Sequence, residues 1–225
     1  ALRGMKGEKA LDIEYESYNL LGIVYNELGE YEKSIDFHTK ASTSEYSKIS
    51  PVEFQSWAYS FNYICFVYQN PNQHRKAIPY FQEGLKQKKD LILYKPSLYA
   101  LLLGNLAYSQ FKLKESDGLP ELFYKSLKLR DSLRLTTGVI ITKIHLSEYY
   151  AVNNDTIKAL QYSKEALETA RKSKNARNLL LPLRQLAIIE PKKAAVYNKE
   201  YIQINDSLQK ADRNIADKFS RIEYE

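Results

Sequence analysis

Residues 20–42 read "LLGIVYNELGEYEKSIDFHTKAS", with Gly22, Gly29, Ser34 and Ala41 set at fixed places around Tyr25, Tyr31, Phe37 and His38. A helix core ordinarily takes leucine where this stretch has small residues, so another helix must approach closely there. The order recurs along the chain. Asn19, Asn62 and Asn105 lie 43 residues apart; Tyr25, Tyr68 and Phe111 keep that interval, and Tyr150 follows 39 later. Nine residues after three of these aromatics stand Ser34, Ala77 and Ala159, with Leu119 at offset eight in the third unit. Four further on come His38, Phe81, Phe123 and Ser163, and then Ala41, Gly84, Ser126 and Ala166. Internal repetition at such a period marks a repeat architecture.

Each unit reads as a helical hairpin. Helix A carries the aromatic near its end, and a turn follows, supplied by Gly29 in the first unit and "NPNQ" (70–73) in the second. Helix B then presents small residues two turns apart on one face, which let the two helices approach closely. The remaining sequence agrees with this. The chain has 225 residues, 44% of them hydrophobic, so it can bury a core, and its 8 glycines and 7 prolines are few for a β-rich protein. Apolar residues recur at spacings of three and four, the helical period. The sequence predicts an all-α protein.

The order Tyr18, Leu21, Gly22, Tyr25, Ser34, His38, Ala41 resembles the tetratricopeptide repeat (TPR), in which W-x2-L-G-x2-Y precedes A-x3-F and a small residue. Tyr18 stands for the usual Trp, Ser34 for Ala and His38 for the aromatic. Phe61, Tyr68, Ala77 and Phe81 repeat the match, with Cys65 in place of Gly. The period is near 42 rather than 34, and the extra residues fall between hairpins, in "STSEYSKISP" (42–51), "KQKKDLILYKP" (86–96) and "RLTTG" (134–138). A looser fifth unit joins "LLLPLRQLAII" (179–189) to "PKKAAVYNKEYIQINDSL" (191–208), opened by Pro191. The expected fold is a TPR-like right-handed α-solenoid over residues 1–210, with hairpins at about 10–45, 53–88, 97–131, 136–173 and 178–208.

Signatures of catalysis are scarce. The sequence holds no phosphate-binding glycine loop, HExxH or paired CxxC, and His38, His74 and His145 lack metal-ligand spacing. Ser109 and Lys112 stand one turn apart, but a solvated helix face explains them better than a nucleophile pair. Cys65 is the only cysteine and reads as a small buried hydrophobe in "FNYICFVY". The net charge of +6 is modest, acids are interspersed through nearly every basic stretch, and the densest run, "RKSKNAR" (171–177), reads as a solvated helix end and loop, which disfavours nucleic acid as a partner. No catalytic residue, metal or cofactor is expected.

The resemblance implies a ligand groove lined by A helices, with a protein or peptide as partner. Carried onto this chain, its inward positions are Asn19, Ile23 and Asn26; Tyr59, Asn62, Tyr63 and Phe66; Asn105, Tyr108 and Lys112; His145 and Glu148; and Arg184 and Gln185. Asn amides there would both donate to and accept from a peptide backbone; equally, they could tie adjacent helices together or face water. The first two A helices offer no Lys or Arg inward, unlike the chaperone adaptors that clamp a terminal carboxylate.

Beyond the fifth hairpin, Tyr197, Tyr201, Ile204, Leu208, Ala211, Ile215, Phe219 and Ile222 form a heptad-like stripe. It reads either as a helix capping the last repeat or, over 209–225, as the start of an output helix that also offers a homodimer contact. "LKLRDSL" (127–133), "IQINDSL" (202–208) and "RNIADKFSRIEYE" (213–225) resemble bacterial proteins in which a TPR region precedes a membrane helix and a histidine-kinase or DNA-binding output. That resemblance implies a fragment of a larger sensor, extracytoplasmic and tethered to the membrane only by a segment outside this sequence. The alternative is a soluble adaptor that scaffolds complexes.

Overall fold

The computed structural model describes residues 2–43, 63, 67, 74–86, 88–116 and 118–222. Among them the helices are α1 (Leu2–Glu27), α2 (Tyr31–Thr43), α3 (His74–Lys86), α4 (Lys88–Tyr94), α5 (Pro96–Lys112), α6 (Glu121–Ser132), α7 (Thr136–Val152), α8 (Thr156–Lys172), α9 (Arg177–Ile189), a 3-10 turn (Pro191–Lys193) and α10 (Ala194–Ile222). No strand occurs among the described residues. "STSEYSKISP" from residue 44 on, the turn 70–73, Phe61, Cys65 and Tyr68 lie outside them. The chain divides into two compact units, 1–125 and 126–225.

In the first unit α1 packs on α2, and α5 packs on α3 and α4. No proline interrupts residues 2–27, and α1 starts at Leu2, ahead of the expected boundary near residue 10. The insert at 86–96 is itself helical. Its Leu91 is fully buried among Ile35, Val67, Phe81, Leu98 and Leu102, and Pro96 then forces Lys95 out of helical geometry before opening α5. In the second unit α8 packs on α7 and α9, and α9 on α10. Ile140, Ile144, Ala166 and Ala170 form one core, and Leu167, Leu183 and Leu186 another. Thr136, Thr137 and Gly138, read as part of an inter-hairpin insert, form the first turn of α7.

The small positions do bring helices close. Ser34, Ala41, Ala77, Ser126, Ala159, Ser163 and Ala166 are all fully buried. A methyl placed on Gly22 would lie 2.5 Å from the His38 ring. Ser34 donates to the Gly22 carbonyl at 2.7 Å, so its hydroxyl is satisfied inside the interface.

One turn design recurs. Gly29, Lys114, Arg134 and Asn154 all have φ between 57° and 76°. The next amide in each case donates back to the fifth residue before it, as Glu30 does to Tyr25 and Asp155 to Tyr150. This left-handed closure satisfies the last carbonyls of the helix that ends there, helix A in three cases and helix B (α6) at Arg134. A ring pair staples two of these turns from outside: Tyr25 stacks on Phe37 at 5.3 Å, and Tyr150 on Tyr162 at 5.7 Å. Lys33 and Lys158 each place an ammonium over the tyrosine ring.

The start of α10 behaves as a cap. Tyr197, Tyr201 and Ile204 pack on the Leu167–Leu183–Leu186 core, and the Tyr197 hydroxyl donates to Glu190 at 2.7 Å. Ala211 to Asn214 are exposed, while Arg177 pairs with Asp212. The side chains of Ile215, Phe219 and Ile222 lie outside the description. No described helix is long and apolar enough to cross a membrane.

Candidate functional site

Three polar clusters sit between A and B helices. In the first, His38 of α2 is fully buried against the space left by Gly22. Its Nδ1–H donates to Asn19 Oδ1 at 3.1 Å, and its ring stacks flat on Tyr63 at 4.8 Å, 6° from parallel. That tautomer leaves Nε2 as a buried lone pair with no partner among the described residues. Burial pushes the imidazole down to about 4. Asn19 therefore ties α1 to α2, and Tyr63 is half-buried with its face on the imidazole. Ile23 and Asn26 are half-buried beside them on the same helix.

The second cluster was only partly legible in the sequence, which gave Tyr108 and Lys112 but not the pairing of His74 with Ser109. His74 opens α3, is buried, and pairs through Nδ1 with Ser109 Oγ at 3.2 Å. The Tyr108 ring meets its imidazole edge-on at 5.7 Å, and the Lys112 ammonium lies 5.4 Å from the Tyr108 centroid. Burial, and then the Lys112 charge, hold His74 below its usual pKa. Tyr108 and Lys112, both expected inward positions, are brought together; Asn105 is buried within α5. Ser109 pairs with His74 rather than Lys112. The one sequence clue to that pairing is a histidine opening helix B ahead of the small Ala77.

The third cluster lies in the second unit. Ser147 and Ser163 share a 2.7 Å hydrogen bond, and Gln185 donates to Ser147 at 3.3 Å, all three buried. Gln185 thus faces a neighbouring helix. His145 and Glu148 are half-buried on α7, and Arg184 is exposed on α9. Tyr59, Asn62 and Phe66 lie outside the described residues. No group of three or more His, Cys, Asp or Glu that could hold a metal occurs among the described residues.

Hairpins of this build, closed by small residues and repeated along the chain, define an all-α TPR-like repeat protein. No protein-family model matches the sequence, and no curated protein is significantly similar to it. Among solved structures, the chain is similar to the apo form of RapI, with TM-score 0.68 and 22% identity, covering 92% of this chain and 74% of that one. Aspartyl phosphate phosphatase F from Bacillus subtilis gives TM-score 0.70 at 13% identity over 88% of this chain, which spans about half (51%) of the phosphatase. A putative kinesin light chain of Podosopora anserina with nearly identical TPR-like repeats gives TM-score 0.62 at 16% identity, covering 86% and 96%. The fold is TPR-like; identities this low carry the fold alone.

Proposed function

We propose that this chain is a non-catalytic module that binds a protein or peptide along its A helices. The observation that carries the reading is the pair of presented rings. Tyr63 and Tyr108 are each half-buried and each held in orientation by a buried histidine. A rigid aromatic that loses little entropy on binding is what a peptide surface needs. Lys112 over Tyr108 adds a positive edge. Selection of binding peptides from a random display library, followed by calorimetry on Tyr63→Ala/Tyr108→Ala, tests this. A loss of at least about tenfold in affinity is expected; unchanged affinity in a folded double variant sinks the reading. Release of phosphate from acetyl phosphate above the buffer rate would overturn the non-catalytic part.

The finer proposal places the module as the extracytoplasmic sensor of a bacterial two-component kinase or transcriptional regulator. Ligand shifts the population of hairpin arrangements, and α10 carries the change onward or into a homodimer contact. The resemblance of 202–225 to such proteins and the exposure of Ala211–Asn214 support it. Alkaline phosphatase fused after Glu225 of the native gene product reports the compartment; an inactive fusion rejects it. A soluble adaptor is the second reading, favoured by the packing of Tyr197, Tyr201 and Ile204 as a cap.

A further inference from the structure

Arg130, near the C-terminal end of α6, is only 5% exposed. Its Nη1 donates to the Gly138 carbonyl at 2.8 Å and to Thr142 Oγ1 at 3.1 Å, pinning α6 to the start of α7. The Thr142 hydroxyl donates in turn to the Gly138 carbonyl, which leaves its oxygen lone pairs for Arg130. Those two bonds use one nitrogen. The guanidinium brings five donors, and the three on Nε and Nη2 meet no described group. Neither atom is sealed from solvent, since neither is among the fully buried atoms that lack a partner. No carboxylate among the described residues pairs with the group, and burial pulls the guanidinium down to about 10.

A buried cation without a counter-charge costs several kcal/mol. A strut between two helices would need only the Nη1 donors, and a neutral amide could supply them. The unused Nε–Nη2 edge is the side of the fork that matches two oxygens of a carboxylate in one plane. Arg130 stands in the last turn of α6, near that helix's negative end, while α7 begins with no side-chain cap on its first amides.

We propose that the Nε–Nη2 edge of Arg130 is a receptor for a single carboxylate, supplied by an acidic side chain or chain end of a protein partner. The site uses residues of α6 and α7 and neither Tyr63 nor Tyr108, so it stands or falls separately from the ring surface.

The test follows the arginine Nε–H signals by 15N NMR in the full chain, with Arg130→Lys supplying the assignment. Acetate and tri-alanine with a free C-terminus should shift the Arg130 signal saturably, while tri-alanine amide should not. Arg130→Lys keeps the charge but loses the fork, and should weaken the acetate-induced rise in melting temperature roughly tenfold in midpoint concentration. Gly138→Ala would set a methyl 2.9 Å from Arg130 Cδ and should displace the fork with the same consequence. The proposal is overturned by a wild-type signal that does not saturate, by equal shifts with the amide, or by a stronger response to inorganic phosphate than to acetate. If either variant unfolds, the Arg130 signal is assigned by triple-resonance spectra of the wild type and its titration decides.

Discussion

Acid should loosen the first hairpin through His38, by an amount the site itself sets. The imidazole has an ordinary pKa of 6.5, regained in the unfolded chain, against about 4 when folded. Protonation would put an N–H on Nε2, which is buried without an acceptor among the described residues and stacked under Tyr63. A folded pKa below the unfolded one means that the unfolded chain binds the extra proton between the two values. The contribution of the neutral His38 ring is therefore full above pH 6.5, falls as pH drops from there, and is lost by about pH 4. The shift is worth at most about 3 kcal/mol across that window. Urea unfolding at pH 7.5, 6.5, 5.5 and 4.5 on the wild type and His38→Phe isolates it, because the carboxylates titrate in both. The stability gap should move in favour of Phe by about 2–3 kcal/mol between pH 7.5 and 4.5. An NMR titration of the His38 ring protons checks the cause. A ring that titrates near 6.5, or a gap that stays constant with pH, would refute the reasoning.

Other interfaces yield simpler outcomes. Gly22→Ala drives a methyl to within 2.5–2.7 Å of the His38 ring and should cost about 1–3 kcal/mol or more in thermal unfolding. In the second unit, a double-mutant cycle of Ser147→Ala and Ser163→Ala should show coupling of about 1 kcal/mol through their shared hydrogen bond. Asp155 caps α8 by accepting from the Lys158 amide at 3.0 Å, so Asp155→Ala should lose about 1 kcal/mol by the same measurement. Asn154→Gly, one residue earlier at φ 61°, should be neutral or stabilising, since glycine reaches that region without strain.

The repeat made the helices, their pairing and the small contact residues readable, because close packing restricts which residues fit. Gly29 announced its turn by composition. Lys114 and Arg134 make the same left-handed turn without any such sign; their conformation is imposed by the helix that has to end there. Aromatics twelve residues apart with lysine at the eighth, as in Tyr25, Lys33 and Phe37, repeat at Tyr150, Lys158 and Tyr162, and the sequence held that signal from the start. Polar positions were harder. Asn19 and Gln185 carry amides that serve a ligand or a neighbouring helix equally well, and only the placement of His38 and Ser147 separates the two. Arg130 reads as one more charge in "LKLRDSL" until its burial is seen.

These polar substitutions follow a pattern. Where TPR hairpins close on alanine and an aromatic, this chain has Ser34 with His38 in one unit and Ser163 in another, and each hydroxyl bonds across the interface. Buried hydrogen bonds contribute little net stability but penalise every misregistered alternative, in which the same groups would be left unpaired. A repeat array needs that penalty, since similar hairpins could otherwise pair with the wrong neighbour. The arrangement also explains which groups remain for binding. Amides and hydroxyls taken up in holding hairpins together, such as Gln185 and Ser147, are spent on register. On the reading proposed above, the rings of Tyr63 and Tyr108, and the guanidinium edge of Arg130 that meets no described group, are where a partner would add an interaction.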